Sequence, residues 1–413
     1  MTQDQQADDR LENLQLSPID RRGFLGAGAA VAGASVGALA QGGRVASAAP
    51  STQETPDAQG QPLTIREQGG FSFAGKVDVD ENGESRHCDH GYANFLIPPN
   101  AREIPIIMWH STHVKTWESN PSFLGGHRAF DHIFARRGWG VYIIDPPRQG
   151  RANYGCFAPD FISNWPQPGR DRSFISWRLG TWDIPGGEPT YFPGSRMAPL
   201  DNGELIDQIL RARYPDNEHV PDAFPLEAEA VATLLERIGP ATLFTHSGSG
   251  RPGWMTVFES PKVAAVVSFE PSVFAFPEGE LPPPLPDGGE QMEVPLADFQ
   301  KLTQIPILVI VGDFLDQVPS GPPRLANTQA FVETVNNHGG NAQLIHLPEE
   351  GIFGNSHVMM LEENNVEIAD FVSQFLKDNG LNKRPGRGGR PRPARAQGRR
   401  RSAAAWRARS LTA

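Results

Sequence analysis

Ser247 stands in the run ATLFTHSGSGRPGW, where an apolar, strand-like stretch ends abruptly in small residues and a hydroxyl. A turn that sharp between a strand and a helix pushes its central side chain out of the backbone, so a serine there presents its oxygen at the top of a sheet. The spelling departs from G-x-S-x-G, with Thr245 and Ser249 in place of both glycines. A serine hydroxyl is a poor nucleophile at neutral pH. A histidine must take its proton, and an acid must fix that histidine's tautomer and stabilise its cation. The chemistry on offer is attack on a carbonyl followed by acyl transfer.

His357 is the best-placed base. It lies in Gly351-Ile352-Phe353-Gly354-Asn355-Ser356-His357, a loop between the last strand and the last helix, which is the third place in the chain order serine, acid, histidine. His346 within strand-like sequence and His338 near a helix end read as structural or surface residues, and His246 is expected to point away from the serine. Three carboxylates compete for the acid: Glu270 in VVSFEPS, and Asp313 and Asp316 in VIVGDFLDQ. Carboxylates at strand ends also serve as helix caps and turn residues, so the residues themselves leave the choice open. The oxyanion formed by attack needs backbone N–H donors, one from the residue after the nucleophile and one from the loop after an earlier strand. Gly248 supplies the first, and Ser111 or Thr112, after IIMW, the second. The metal-like run His87-Cys88-Asp89-His90 has no partner cluster and reads as a solvated strand edge. No metal or organic cofactor is required.

Short apolar runs alternating with amphipathic stretches would position these groups, the signature of an α/β chain with a mostly parallel twisted sheet flanked by helices. The pattern predicts strands at 104–109, 140–144, 241–245, 264–269, 307–311 and 343–346, with helices at 130–137, 226–238, 252–259, 327–337 and 364–378. Residues 71–79 and 92–97 read as an opening antiparallel hairpin. Segments 146–225 and 272–300 are rich in Pro, Gly and aromatics without clear periodicity, and are expected as cap insertions over the carboxyl ends of the strands. Phe157, Phe161, Trp165, Phe174, Trp177, Trp182 and Phe192 either roof the site, favouring a bulky or apolar ester, or form the cap's own small core.

Around this body, which spans 70–380, the ends differ in character. Asp20-Arg21-Arg22-Gly23-Phe24-Leu25 followed by a Gly/Ala run and Ala46-Ser47-Ala48 reads as a twin-arginine signal peptide over 1–48, implying export to the periplasm or the medium; a linker follows at 49–69. Residues 381–413 hold eleven Lys or Arg and no acid, in a chain whose net charge is -11. That tail cannot bury a core and is expected to be disordered, either solvated or touching an anionic surface, whereas the acidic body argues against a nucleic-acid substrate. Cys88 and Cys156 are the only cysteines, and they allow either one disulfide or two buried thiols.

Taken in order, IIMW with His110-Ser111-Thr112-His113, VYIIDPPRQGRA, the THSGS elbow, SFEP and GNSHVMMLEENN resemble the α/β-hydrolase superfamily over about residues 91–380. More narrowly they resemble a branch of exported bacterial esterases whose acid is a glutamate directly after the sixth strand. The resemblance implies a serine esterase acting on a small-molecule ester, with Ser247 as nucleophile, His357 as base and Glu270 as acid, ahead of Asp313 and Asp316. It leaves open other chemistry with the same three residues, as in a peptidase, lipase or lyase, and a non-catalytic binding protein on the same scaffold.

Overall fold

The computed structural model describes residues 62–110, 117, 129–156, 169–200, 205–211, 222–286 and 289–385. Of the two compact units into which the chain divides, Met1–Glu54 falls wholly outside these residues. The twin-arginine segment, Ser111, Thr112, Phe157, Phe161, Trp165 and residues 386–413 likewise lie outside them.

The second unit is built on one eight-stranded sheet. Its strands are β1 (Glu67–Val79), β2 (Ser85–Ile97), β3 (Ile106–Trp109), β4 (Val141–Asp145), β5 (Ala241–His246), β6 (Val263–Phe269), β7 (Pro306–Val311) and β8 (Asn341–His346), in the spatial order β1-β2-β4-β3-β5-β6-β7-β8. β1 pairs antiparallel with β2, and β2 with β4; every later pairing is parallel. Parallel strands need helical crossovers, and helices on both faces bury both sides of each strand, so IIMW and PILVIV read as unbroken apolar runs.

Successive side chains take opposite faces, which divides the core in two. Ile106 and Met108 join one cluster with α1 (Phe130–Arg136) and α8 (Asn365–Asp378); Ile107 and Trp109 join the other with α4 (Ala223–Ile238), α5 (Gly250–Glu259), α6 (Leu296–Leu302) and α7 (Gly321–Asn337). The expected strands and long helices are found within a few residues of their boundaries, except that β2 begins at Ser85, seven residues before the expected 92, because its polar start pairs with β1 across the hairpin. α7 begins six residues earlier than the apolar pattern indicates, because Pro322 and Pro323 occupy its first turn, where a missing N–H costs nothing.

The two aperiodic segments contain more structure than their sequence reveals. α2 (Arg170–Ser176) and α3 (Leu205–Arg211) lie in the first, along with a strand pair formed by Gly180–Trp182 and Pro189–Tyr191. The second contains α6 and a pair formed by Ala275–Pro277 and Met292–Val294. Helices of two turns are too short for a 3.6-residue repeat to stand out. Cys88 and Cys156 form a disulfide that ties β2 to the start of the first segment. Glu103 N–H donates to Lys383 O at 2.9 Å and Arg384 Nη1 to Asn100 O at 2.8 Å, so the packed chain runs past Gly380, where composition alone places the start of the tail.

Candidate active site

The carboxyl ends of β3, β5, β6 and β7 form one edge; Ser247 and Glu270 directly follow β5 and β6, Asp313 and Asp316 follow β7, and His357 comes in from the loop after β8. Ser247 follows β5 with φ 52°, in the left-handed region that a non-glycine residue adopts only under local constraint. Its peptide then enters a helical turn, Ser247–Ser249, that leads into α5. Gly248 sits at this helical start, where amide N–H groups have no intrahelical acceptor.

The missing glycines of the elbow are compensated locally. Ser249 has ordinary helical angles, φ -70° and ψ -6°, and needs no glycine. Its hydroxyl accepts from His246 N–H at 2.9 Å and lies 2.9 Å from Trp109 O. Thr245 is fully buried, its hydroxyl 2.7 Å from Ser268 Oγ. Room for its methyl comes from Gly253 on α5, where a Cβ would stand 2.6 Å from Thr245 Cγ2. The space that a glycine in the strand would leave is here supplied by a glycine on the facing helix.

Glu270 follows β6 with φ 44° and is nearly buried. Its Oε2 accepts from His357 Nδ1 at 2.6 Å and from Arg178 Nη1 at 2.8 Å; its Oε1 accepts from Gly312 N–H at 2.7 Å and from Arg178 Nη2. Burial pushes this carboxyl up, but the Arg178 charge and the bonds from His357 and Arg178 outweigh it and hold Glu270 well below the usual carboxylate range. An ionised carboxylate only accepts, so the His357 ring donates from Nδ1, and the neutral tautomer that this bond selects has its lone pair on Nε2. Gly312 is fixed by crowding, since a Cβ there would stand 2.6 Å from Asn355 O.

His246 points toward the histidine loop. Its Nε2 donates to His357 O at 2.8 Å and the two rings lie 4.8 Å apart, which brings the residue before Ser247 against His357. Burial first, then the nearby His357, push the His246 imidazole down to about 3, so it is neutral at physiological pH. The loop itself is held by Glu362, which accepts from Ser356 N–H at 2.8 Å and Asn355 Nδ2 at 2.6 Å. Asp313 belongs to the same support, its carboxylate accepting from Gly354 N–H at 2.8 Å and Phe314 N–H at 2.6 Å. Asp316 hydrogen-bonds its exposed neighbour Gln317, His346 pairs with Glu349, and His338 with Glu280.

On the far side of Ser247, His110 follows β3, immediately before Ser111 in the sequence. It is buried, with Nε2 3.1 Å from Asp145 Oδ1, while Asp145 Oδ2 accepts from Arg151. In the first insertion Phe174 packs on Trp182 and Tyr191, and Phe192 on Phe314 beyond β7. Cys88 is committed to its disulfide, and Asp89 accepts from Arg148, Lys76 and Cys156 N–H.

Arg178 was not legible as a site residue. It lies in an aperiodic segment among several other arginines, and nothing in its spacing marks it. Asp145 and Arg151 stand within VYIIDPPRQGRA, where only their place after a strand gives a signal.

No family model matches the chain. A solved structure described as a novel bacterial esterase is similar at 26% identity and TM-score 0.64, covering 79% of this chain and 99% of its own. A fungal sequence (Fungal sp., strain ATCC 74256) named as a probable secreted lipase is 26% identical over 301 residues, 63% of this chain and 78% of the relative. The fold is that of the α/β-hydrolases.

Proposed function

We propose that this chain is an exported serine esterase that cleaves carboxylic esters through an acyl-enzyme, with Ser247 as nucleophile, His357 as general base and Glu270 as the acid behind it. The observation that carries this reading is the 2.6 Å bond from His357 Nδ1 to Glu270, in a loop whose histidine ring lies 4.8 Å from that of the residue preceding the strained Ser247. His357 Nε2 takes the Ser247 proton as the hydroxyl attacks the ester carbonyl, and Glu270 offsets the imidazolium charge. Oxyanion charge falls to Gly248 N–H and to an amide of Ser111 or Thr112, whose loop starts from the anchored His110. His357 then protonates the departing alcohol, and the same base activates water to release the acid. These steps use side chains and amides alone.

Both relatives described above are named for ester-cleaving activity, which supports the substrate class. The relative named as secreted agrees with the twin-arginine pattern, and no helix among the described residues is long and apolar enough to cross a membrane. Asp313 serves the loop rather than the histidine ring, and Asp316 serves neither.

p-Nitrophenyl ester hydrolysis, from acetate to longer acyl chains, by the mature protein and by Ser247→Ala, Glu270→Ala and Asp316→Ala tests the assignment. The first two variants lose turnover and the third keeps it. Full activity in Glu270→Ala would remove the glutamate from the mechanism, and absence of turnover on every ester in the wild type would remove the esterase reading.

A further inference from the structure

Arg178 enters the site from outside the sheet. It belongs to the first insertion, two residues past α2, and adopts φ 59°. The turn it shares with Trp177 grips both partners of the acid–base pair: Trp177 O accepts the His357 N–H at 3.0 Å, and the Arg178 guanidinium forks onto both oxygens of Glu270. Arg178 Nε also donates to Asp313 O at 3.0 Å, which fixes the plane of the fork. Side chains of Arg178 and Glu270 are 6% and 7% exposed, so water does little to screen the pair.

We infer that Arg178 is a positioning residue that sets the charge of the Glu270–His357 unit, so that the insertion, and not the sheet alone, fixes the pH range in which the base is free to act. This rests on the esterase reading above. With Arg178 present, the cation and the carboxylate cancel, and a proton arriving on His357 gives the unit a net positive charge. Without it, the carboxylate stands alone beside the imidazole and the proton is held to higher pH. The other ionisable groups facing this unit do not replace the arginine. His246 is neutral, the Asp313 carboxylate is turned to the Gly354 and Phe314 amides, His110 pairs with Asp145, and Glu362, which is electrostatically coupled to Glu270, bonds Ser356 and Asn355 and is common to the wild type and both variants compared below.

The test is the pH profile of kcat/KM on a p-nitrophenyl ester for wild type, Arg178→Gln and Arg178→Lys, with the rate of Ser247 phosphonylation followed by intact mass at each pH. Arg178→Gln removes the charge, and its acid limb moves up by about one pH unit or more. Arg178→Lys keeps the charge without the planar fork, so its limb stays within about 0.3 unit of wild type while kcat falls roughly tenfold or more. A merely structural arginine would lower kcat in both variants and leave both limbs in place, and that result overturns the inference. If Arg178→Gln does not accumulate as folded protein, the lysine variant decides: wild-type kcat, or a limb displaced upward by a unit, refutes the role. A wild type with neither ester turnover nor phosphonylation defeats the esterase reading instead, which separates the two failures.

Discussion

Gly253→Ala tests why this elbow functions without its glycines. The new methyl would sit 2.6 Å from Thr245 Cγ2, closer than carbon atoms tolerate. Thr245 cannot simply rotate, because it is fully buried, is β-branched, and has its hydroxyl 2.7 Å from Ser268 Oγ. Overpacking of this kind costs about 1–3 kcal/mol, and a broken buried hydrogen bond about 1–3 kcal/mol more. The better helix propensity of alanine in α5 returns about 1 kcal/mol. The net expectation is a loss of about 1–5 kcal/mol in urea unfolding, with ester turnover falling by roughly tenfold or more if the elbow shifts by a fraction of an ångström. Thr245→Gly removes the obstructing methyl and restores the first of the two elbow glycines, so it should rescue Gly253→Ala and give a coupling energy of about 1–3 kcal/mol in the double-mutant cycle. Unchanged stability and turnover in Gly253→Ala, or additive losses in the double variant, would refute the exchange of glycine between strand and helix.

Burial pushes the Glu362 carboxyl up to about 7 against the pull of Ser356 and Asn355. A carboxyl that holds its proton more tightly when folded contributes stability that is full below its unfolded value of 4.5 and is lost as pH rises through about 7. Glu362→Gln should therefore flatten the pH dependence of the urea midpoint between pH 5 and 8, at some cost in overall stability because its amide NH2 meets one of the two N–H donors; an unchanged slope would contradict this. The Cys88–Cys156 bond closes a loop with a sequence separation of 68, for which the chain-entropy model gives about 4 kcal/mol. Reduction, or the paired change to serine, should lower the melting temperature by several degrees, and an identical melting curve would show the bond to be idle. Asp313→Asn should reduce kcat while leaving the chain-length preference intact, since its carboxylate holds Gly354 N–H and no ring nitrogen; kinetics equal to wild type would deny it that role.

The strands and the long helices were legible because burial on both faces writes unbroken apolar runs and amphipathic crossovers write a 3.6-residue repeat, whereas the spatial order of the strands carries no such mark. Ser247 and Glu270 could be picked out as candidates because each directly follows a strand, and His357 because it lies in the loop between the last strand and the last helix. Among the acids the residues alone did not choose, and the resemblance favoured Glu270. In the structure Glu270 is the carboxylate on His357, and Asp313 faces the amides of the same loop. Arg178 and Trp177 could not be read in advance. Their contribution depends on a two-turn helix and a left-handed residue in an aperiodic insertion, and long-range ion pairs leave no local pattern. The compensation of Thr245 by Gly253 was equally hidden, since it needs the packing of a helix on its own preceding strand.

The most direct measurement is the site of the covalent adduct. The purified protein, treated with an activated phosphonate and with a slowly deacylated p-nitrophenyl ester, should gain one adduct of the expected mass, mapping by peptide sequencing to Ser247 and absent from Ser247→Ala. An adduct on another residue, or ester turnover that survives intact in Ser247→Ala, would contradict a mechanism built on this elbow.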